Sequence, residues 1–152
     1  MTKQPYKIPV SVLVVIHTPD LQVLLLERAD APGFWQSVTG SQNGGETLLQ
    51  TVQREVREET GLDAGRYALT DWHKGNRYKI YERWRHRYAP GTTHNTEHVF
   101  SLQLPQPLPV TLAPREHSQY LWLPWQEAAD KVFSPTNAAA IRELPKRFSI
   151  PR

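Results

Sequence analysis

No cysteine occurs in the 152 residues, so disulfides and thiolate metal sites are excluded. Long apolar runs are missing too, since no stretch approaches the roughly 18 residues of a membrane span. The opening MTKQPYKIPV has no apolar signal region followed by a small-residue cleavage site, because Val10 to Ile16 runs directly into His17 and a turn. Internal repeats and low-complexity segments are also absent. A cytoplasmic protein without a membrane partner is the expectation. Neither sign of charge dominates: 18 Lys and Arg against 15 Asp and Glu give +3, which suits an anionic small molecule and gives no reason to expect a nucleic-acid partner. Nothing in the sequence sets an oligomeric state.

What is present suits one domain over 1–152, with 39% hydrophobic residues and five Trp to anchor packing. Ile8 to Ile16 reads as a buried strand, with Val23 to Leu26 returning beside it. Trp35 to Thr39 forms a short strand leading to Gly40. Tyr67 to Trp72 and Arg77 to Trp84 read as two strands, and Glu97 to Leu104 as another. Pro105, Pro107 and Pro109 make the following connection irregular and surface-exposed. Tyr120 to Leu123 is the last strand. Helices are predicted over Gln126 to Val132 and Thr136 to Leu144, the latter ended by Pro145. From Lys74 to Arg87 six cations face one acid, Glu82. That run is a solvated strand face or a surface for polyphosphate.

The densest constraint lies in Gly40 to Leu62, GSQNGGETLLQTVQREVREETGL. Leu48, Leu49, Val52 and Val56 recur at helical spacing, Thr47 and Gln50 form a capping box, and Gly61 supplies a stop. At about 100° per residue, Glu55, Glu58 and Glu59 share one face. Like charges at this spacing repel, so helix stability alone does not explain them. Arg54 and Arg57 balance them in a solvated face, or a cation sits there. Oxygen ligands without cysteine or clustered histidine point to a hard ion such as Mg²⁺.

The full spacing resembles the Nudix box at every specified position: Gly40, five residues, Glu46, seven residues, then Arg54-Glu55-Val56-Arg57-Glu58-Glu59-Thr60-Gly61-Leu62. The resemblance implies an α/β fold, a Nudix-type α/β/α sandwich with a mixed sheet and a loop-helix-loop metal site. It also implies hydrolysis of a nucleoside diphosphate linked to another group, with Mg²⁺ as cofactor and Mn²⁺ as a substitute. On that pattern Glu55 and Glu59 are metal ligands, Glu58 is a third ligand or a base, and Glu46 and Arg54 shape the loop. Glu116, outside the box, is an extra acid for the metal or the attacking water, or an exposed loop residue. His117 beside it donates to phosphate or faces solvent, solvent being preferred.

Beyond the box, Phe34 to Gly40, His86 to Gly91, Arg115-Glu116-His117 and Tyr120 to Leu123 are similar to the Nudix subgroup that hydrolyses dihydroneopterin triphosphate in bacterial folate biosynthesis, with some action on nucleoside triphosphates such as dATP. A small-molecule pterin or nucleoside triphosphate is therefore the expected partner. The subgroup pattern implies Lys7 and Arg28 as cations for phosphate, Thr39 as a hydrogen-bond donor, and Tyr78 and Tyr81 flanking the ring, with Phe34 or Trp35 nearby. Trp35 is the better candidate for sheet core. Ser134 and Asn137 bind the ring edge or cap the final helix, capping being preferred. Competing functions are hydrolysis of dinucleoside polyphosphates or nucleoside diphosphate sugars, and a catalytically silent nucleotide- or RNA-binding regulator.

Overall fold

The computed structural model describes residues 5–148. Seven strands and three helices follow in the order β1 (Val10–His17), β2 (Gln22–Arg28), β3 (Trp35–Gln36), β4 (Val38–Ser41), α1 (Leu48–Thr60), β5 (Ala68–Lys79), β6 (His94–Gln103), β7 (His117–Pro124), α2 (Trp125–Lys131) and α3 (Pro135–Arg147). The strands form one mixed sheet: β1 runs parallel to β6, while β5 pairs β6, β7 pairs β2 and β4 pairs β1 antiparallel.

Alternation along β1 assigns its faces. Leu13 and Val15 pack with Ala128, Ile141 and Leu144 of the C-terminal helices. Val12, Val14 and Ile16 pack with Val52 and Val56 of α1. The sheet is therefore sandwiched between α1 and the α2–α3 pair. No helix among the described residues is long and apolar enough to cross a membrane.

Local signals set the ends of α1. Thr47 accepts from Gln50 N while the Gln50 side chain accepts from Thr47 N, completing the capping box, and Gly61 closes the helix at φ 75°. Leu49, expected on the apolar face, is instead 49% exposed, and the buried side comprises Thr51, Val52, Glu55, Val56, Glu59 and Thr60.

Four other expectations need correction. The predicted single strand over Trp35 to Thr39 is two, broken at Ser37, because its halves pair with different neighbours. Arg77 to Trp84 does not stay extended. It belongs to β5 only as far as Lys79, and Glu82–Arg87 coil into a 3₁₀ helix in which Trp84 N donates to Tyr81 O at 2.9 Å. Pro145 lies inside α3: it removes one N–H, but Phe148 N donates to Leu144 O at 2.8 Å and closes the last turn beyond it. The proline-rich connection is irregular as expected but not simply exposed, since Leu108, Val110 and Leu112 pack against the α1-side core. It is tied down by Trp122 Nε1 donating to Leu108 O and Thr111 N to Thr60 O.

Candidate functional site

The break at Ser37 opens the site. After a single register pair, His17 with Val23, β1 leaves β2 and pairs with β4, while β3 stays on β2. Asn137 of α3 holds the crossing point: its Oδ1 accepts from Ser37 N and its Nδ2 donates to Ser37 Oγ, both at 2.9 Å. A cavity of about 720 Å³ lies along this parting and is lined both by the acids of α1 and by aromatic side chains near α3. Its size suits a small molecule rather than a macromolecule.

At the acidic end, Arg54 organises the loop before α1. Its guanidinium donates to both Glu46 oxygens at 2.7 and 3.0 Å, to Ser41 O at 2.8 Å, to Glu55 at 2.5 Å and to Glu58 at 3.3 Å. The Arg54 contact holds the Glu46 carboxyl down to about 2, so this acid stays ionised as the loop's anchor. Glu55 and Glu59 are 8% and 1% exposed, whereas Glu58 is exposed, so the three acids expected on one face divide between interior and surface.

Burial raises the pKa of Glu55 and, joined by the neighbouring Glu55 carboxyl, raises that of Glu59 well above the usual range. Neither Glu59 oxygen has a hydrogen-bond partner. Gly40 leaves room for this pair: a Cβ there would overlap the Glu55 carboxyl carbon and both its oxygens. Among the described residues, no three acidic or histidine side chains already stand as a ligand set, and Arg54 pairs with both Glu55 and Glu58. Two unpartnered buried oxygens beside a second carboxylate, in a cradle that a methyl group would fill, nonetheless fit a hard divalent cation.

Glu116 is exposed on the turn before β7, lines the cavity and adds to the negative field on Glu59. His117 departs from expectation. It is 4% exposed, its Nε2 lies 3.1 Å from Gln36 Nε2 and 3.7 Å from Glu59 Oε1, and burial followed by Arg28 lowers its pKa to about 4. It is therefore a neutral wall of the acidic end at pH 7.

The opposite end is aromatic. Tyr81 meets Trp84 at 5.5 Å and Phe133 edge-on at 5.8 Å, and Phe34 lies 4.8 Å from Phe133. Tyr78 lines the same space, its hydroxyl accepting from Asn95 Nδ2 at 3.1 Å. Trp35 belongs to the core, as expected. Cations stand between the two ends. Arg28 stacks 4.3 Å from the Trp84 ring and is held by both Asp30 oxygens at 2.8 and 2.9 Å, an interaction that brings Asp30 down to about 2. Lys7 bridges to Tyr88 and lines the cavity, its pKa lowered by burial and then by Arg87.

Two expected donors are otherwise engaged. Thr39 gives its hydroxyl proton to Val12 O at 3.0 Å, across the β1–β4 ladder. Ser134 does not cap α3 with its side chain, its hydroxyl lying 3.0 Å from that of Thr136, and Asn137 clamps Ser37 instead of capping. Both still line the cavity. Sequence reasoning missed Gln36, Trp84, Asn95, Glu97 and Phe133 as lining residues. Of these only Trp84 left a signal, its three-residue spacing from Tyr81.

A model of the NUDIX domain matches residues 7–144. The dihydroneopterin triphosphate diphosphatase of Escherichia coli K12 is 44% identical over 147 residues, covering 95% of this chain and 97% of that protein. Its Haemophilus influenzae counterpart is 39% identical over 91% of this chain and 88% of its own length. The solved structure of the E. coli dihydroneopterin triphosphate pyrophosphohydrolase superposes with a TM-score of 0.88 over 95% of this chain and 99% of that one.

Proposed function

Because the chain belongs to the NUDIX domain family, whose hydrolases use a divalent metal, we propose that it hydrolyses dihydroneopterin triphosphate to dihydroneopterin monophosphate and pyrophosphate. Water attacks the α-phosphorus in this reading, and the reaction serves folate biosynthesis. The observation that carries it is the continuity of one cavity from the Glu55–Glu59 pair, past Lys7 and Arg28, to the rings of Tyr81, Trp84 and Phe133. A triphosphate attached to a flat heterocycle needs these three environments in that order. The relatives' activity supports the choice of substrate.

Mg²⁺, or Mn²⁺ in its place, would be held by Glu55 and Glu59, with Glu58 and Glu116 as further ligands from the cavity mouth. When bound, the ion supplies charge neutralisation at the phosphate oxygens and acidifies the attacking water. The chain does the rest. Arg54 fixes Glu55 relative to the loop, and the buried Glu59 presents oxygens that no protein donor claims. Glu58 and Glu116, both exposed, are the acceptors available for the proton the water loses. Lys7 and Arg28 take the phosphate charge. Tyr81 and Tyr78 flank the ring, while Ser134 adds a hydroxyl at its rim and Thr39 serves only as an acceptor. Nucleoside triphosphates such as dATP are lesser substrates, since the phosphate contacts do not depend on the ring.

Hydrolysis in ¹⁸O-labelled water locates the bond that breaks. Phosphorus NMR is expected to find the label in the monophosphate and none in pyrophosphate. Label confined to pyrophosphate would place attack at the β-phosphorus and reject this assignment.

A further inference from the structure

The aromatic recess ends on two buried acceptors that the reaction does not use. Asn95 and Glu97 stand two residues apart on β6 and so project to the same side of the sheet. They are 1% and 4% exposed, and both line the cavity. Asn95 Nδ2 is committed, donating to Ser11 Oγ at 2.7 Å and to the Tyr78 hydroxyl at 3.1 Å, but Asn95 Oδ1 has no donor. Glu97 Oε1 has none either. Buried acceptors left unpaired destabilise the fold, so packing does not account for them. The residues that sequence reasoning put forward for a ring edge are meanwhile engaged, Asn137 with Ser37 and Ser134 with Thr136.

We propose that Glu97 and Asn95 determine ring specificity by accepting the adjacent ring N–H and exocyclic amine of a 2-amino-4-oxopyrimidine, the edge a pterin presents. A carboxylate accepts two neighbouring N–H donors in parallel, and a second acceptor beside it fixes the ring's rotation. Tyr81 and Phe133, edge to face at 5.8 Å, supply apolar walls beside that edge. Adenine offers a ring-nitrogen lone pair next to its amine, which sets acceptor against acceptor at Glu97. Burial raises the Glu97 pKa against the opposing hydrogen bonds of Thr136 and Asn76, and Oε1 is the oxygen left without a partner. This inference rests on the pterin reading for its substrate, but ring recognition is separable from hydrolysis.

The test measures binding and turnover apart. Binding of phosphate-free 7,8-dihydroneopterin is followed by tryptophan fluorescence in metal-free buffer, against its 2-oxo counterpart, which replaces the amine by a carbonyl. The unaltered protein is expected to prefer the 2-amino ring by about 10- to 100-fold, the scale of a charge-assisted hydrogen-bond pair, and Glu97→Gln to abolish that preference. In turnover, Glu97→Gln lowers kcat/KM for dihydroneopterin triphosphate by a similar factor without lowering that for dATP, because the Gln amide donates to the adenine ring nitrogen that the carboxylate opposes. Equal binding of the two rings by the unaltered protein overturns the proposal without needing any variant. A parallel loss on both triphosphates overturns it too, because Glu97 is then structural. If dihydroneopterin binds with the expected preference but its triphosphate is not hydrolysed, the functional reading fails and this one stands.

Discussion

Replacing Glu59 with Gln leaves a folded protein whose turnover falls at least about a hundredfold, the scale of lost electrostatic catalysis. The substitution keeps the volume of a side chain that is 1% exposed, so the core stays filled. What disappears is one negative charge at two oxygens that no protein donor satisfies.

The same variant has a stability signature. The folded pKa of Glu59 is raised by burial and by Glu55, so over the range above its unfolded value the native state holds more protons than the unfolded chain. Stability is then fully present below the unfolded pKa and declines as pH rises through the folded one. Metal-free melting temperatures measured against pH should show this decline in the unaltered protein and a smaller one in Glu59→Gln. Glu55, shifted in the same direction, keeps part of the slope. Added Mg²⁺ should raise the melting temperature of the unaltered protein much more than that of the variant. Near-normal turnover in a folded Glu59→Gln would remove this carboxylate from the reaction.

Gly40→Ala should cost nearly as much activity through a single methyl group. Its Cβ would occupy the place of the Glu55 carboxyl, so that group must leave, breaking its 2.5 Å contact with Arg54. A catalytic group displaced by about 1 Å loses roughly a hundredfold in rate, and the variant's Mg²⁺ affinity should fall with it. Gly44→Ala is the control, since a Cβ there meets nothing within 4 Å. Equal activity in the two variants would contradict the role given to the Gly40 cradle. Steady-state kinetics with a Mg²⁺ titration makes the comparison.

The parts legible in the sequence are those written in neighbouring residues. The Thr47–Gln50 box and the Gly61 stop lie within a few turns of each other, so spacing alone places them, and the Glu46–Arg54 loop follows from the resemblance to the Nudix box. His117 shows where that kind of reading ends. Its partner Gln36 lies 81 residues earlier, and the β2–β3 and β2–β7 pairings together bring the two into contact, with His117 3.7 Å from Glu59. The aromatic recess is similar, because Tyr81, Trp84 and Phe133 converge from a 3₁₀ turn and the segment before α3. Arg77 to Trp84 is strand-like only in its first part: Ile80 is buried and Tyr78 lines the cavity, but the strand ends at Lys79, and the 3₁₀ turn that follows brings Trp84 against Arg28. The division of Glu55 and Glu59 from Glu58 was equally out of reach, since burial depends on where the sheet parts and not on helical phase alone.

The choice of substrate is made at the ring end of the cavity, since the phosphate-cleaving end is built from the box common to the family. With Mg²⁺ present, kcat/KM should be at least roughly tenfold higher for dihydroneopterin triphosphate than for dATP or diadenosine tetraphosphate on the same preparation. A higher value for diadenosine tetraphosphate would contradict it.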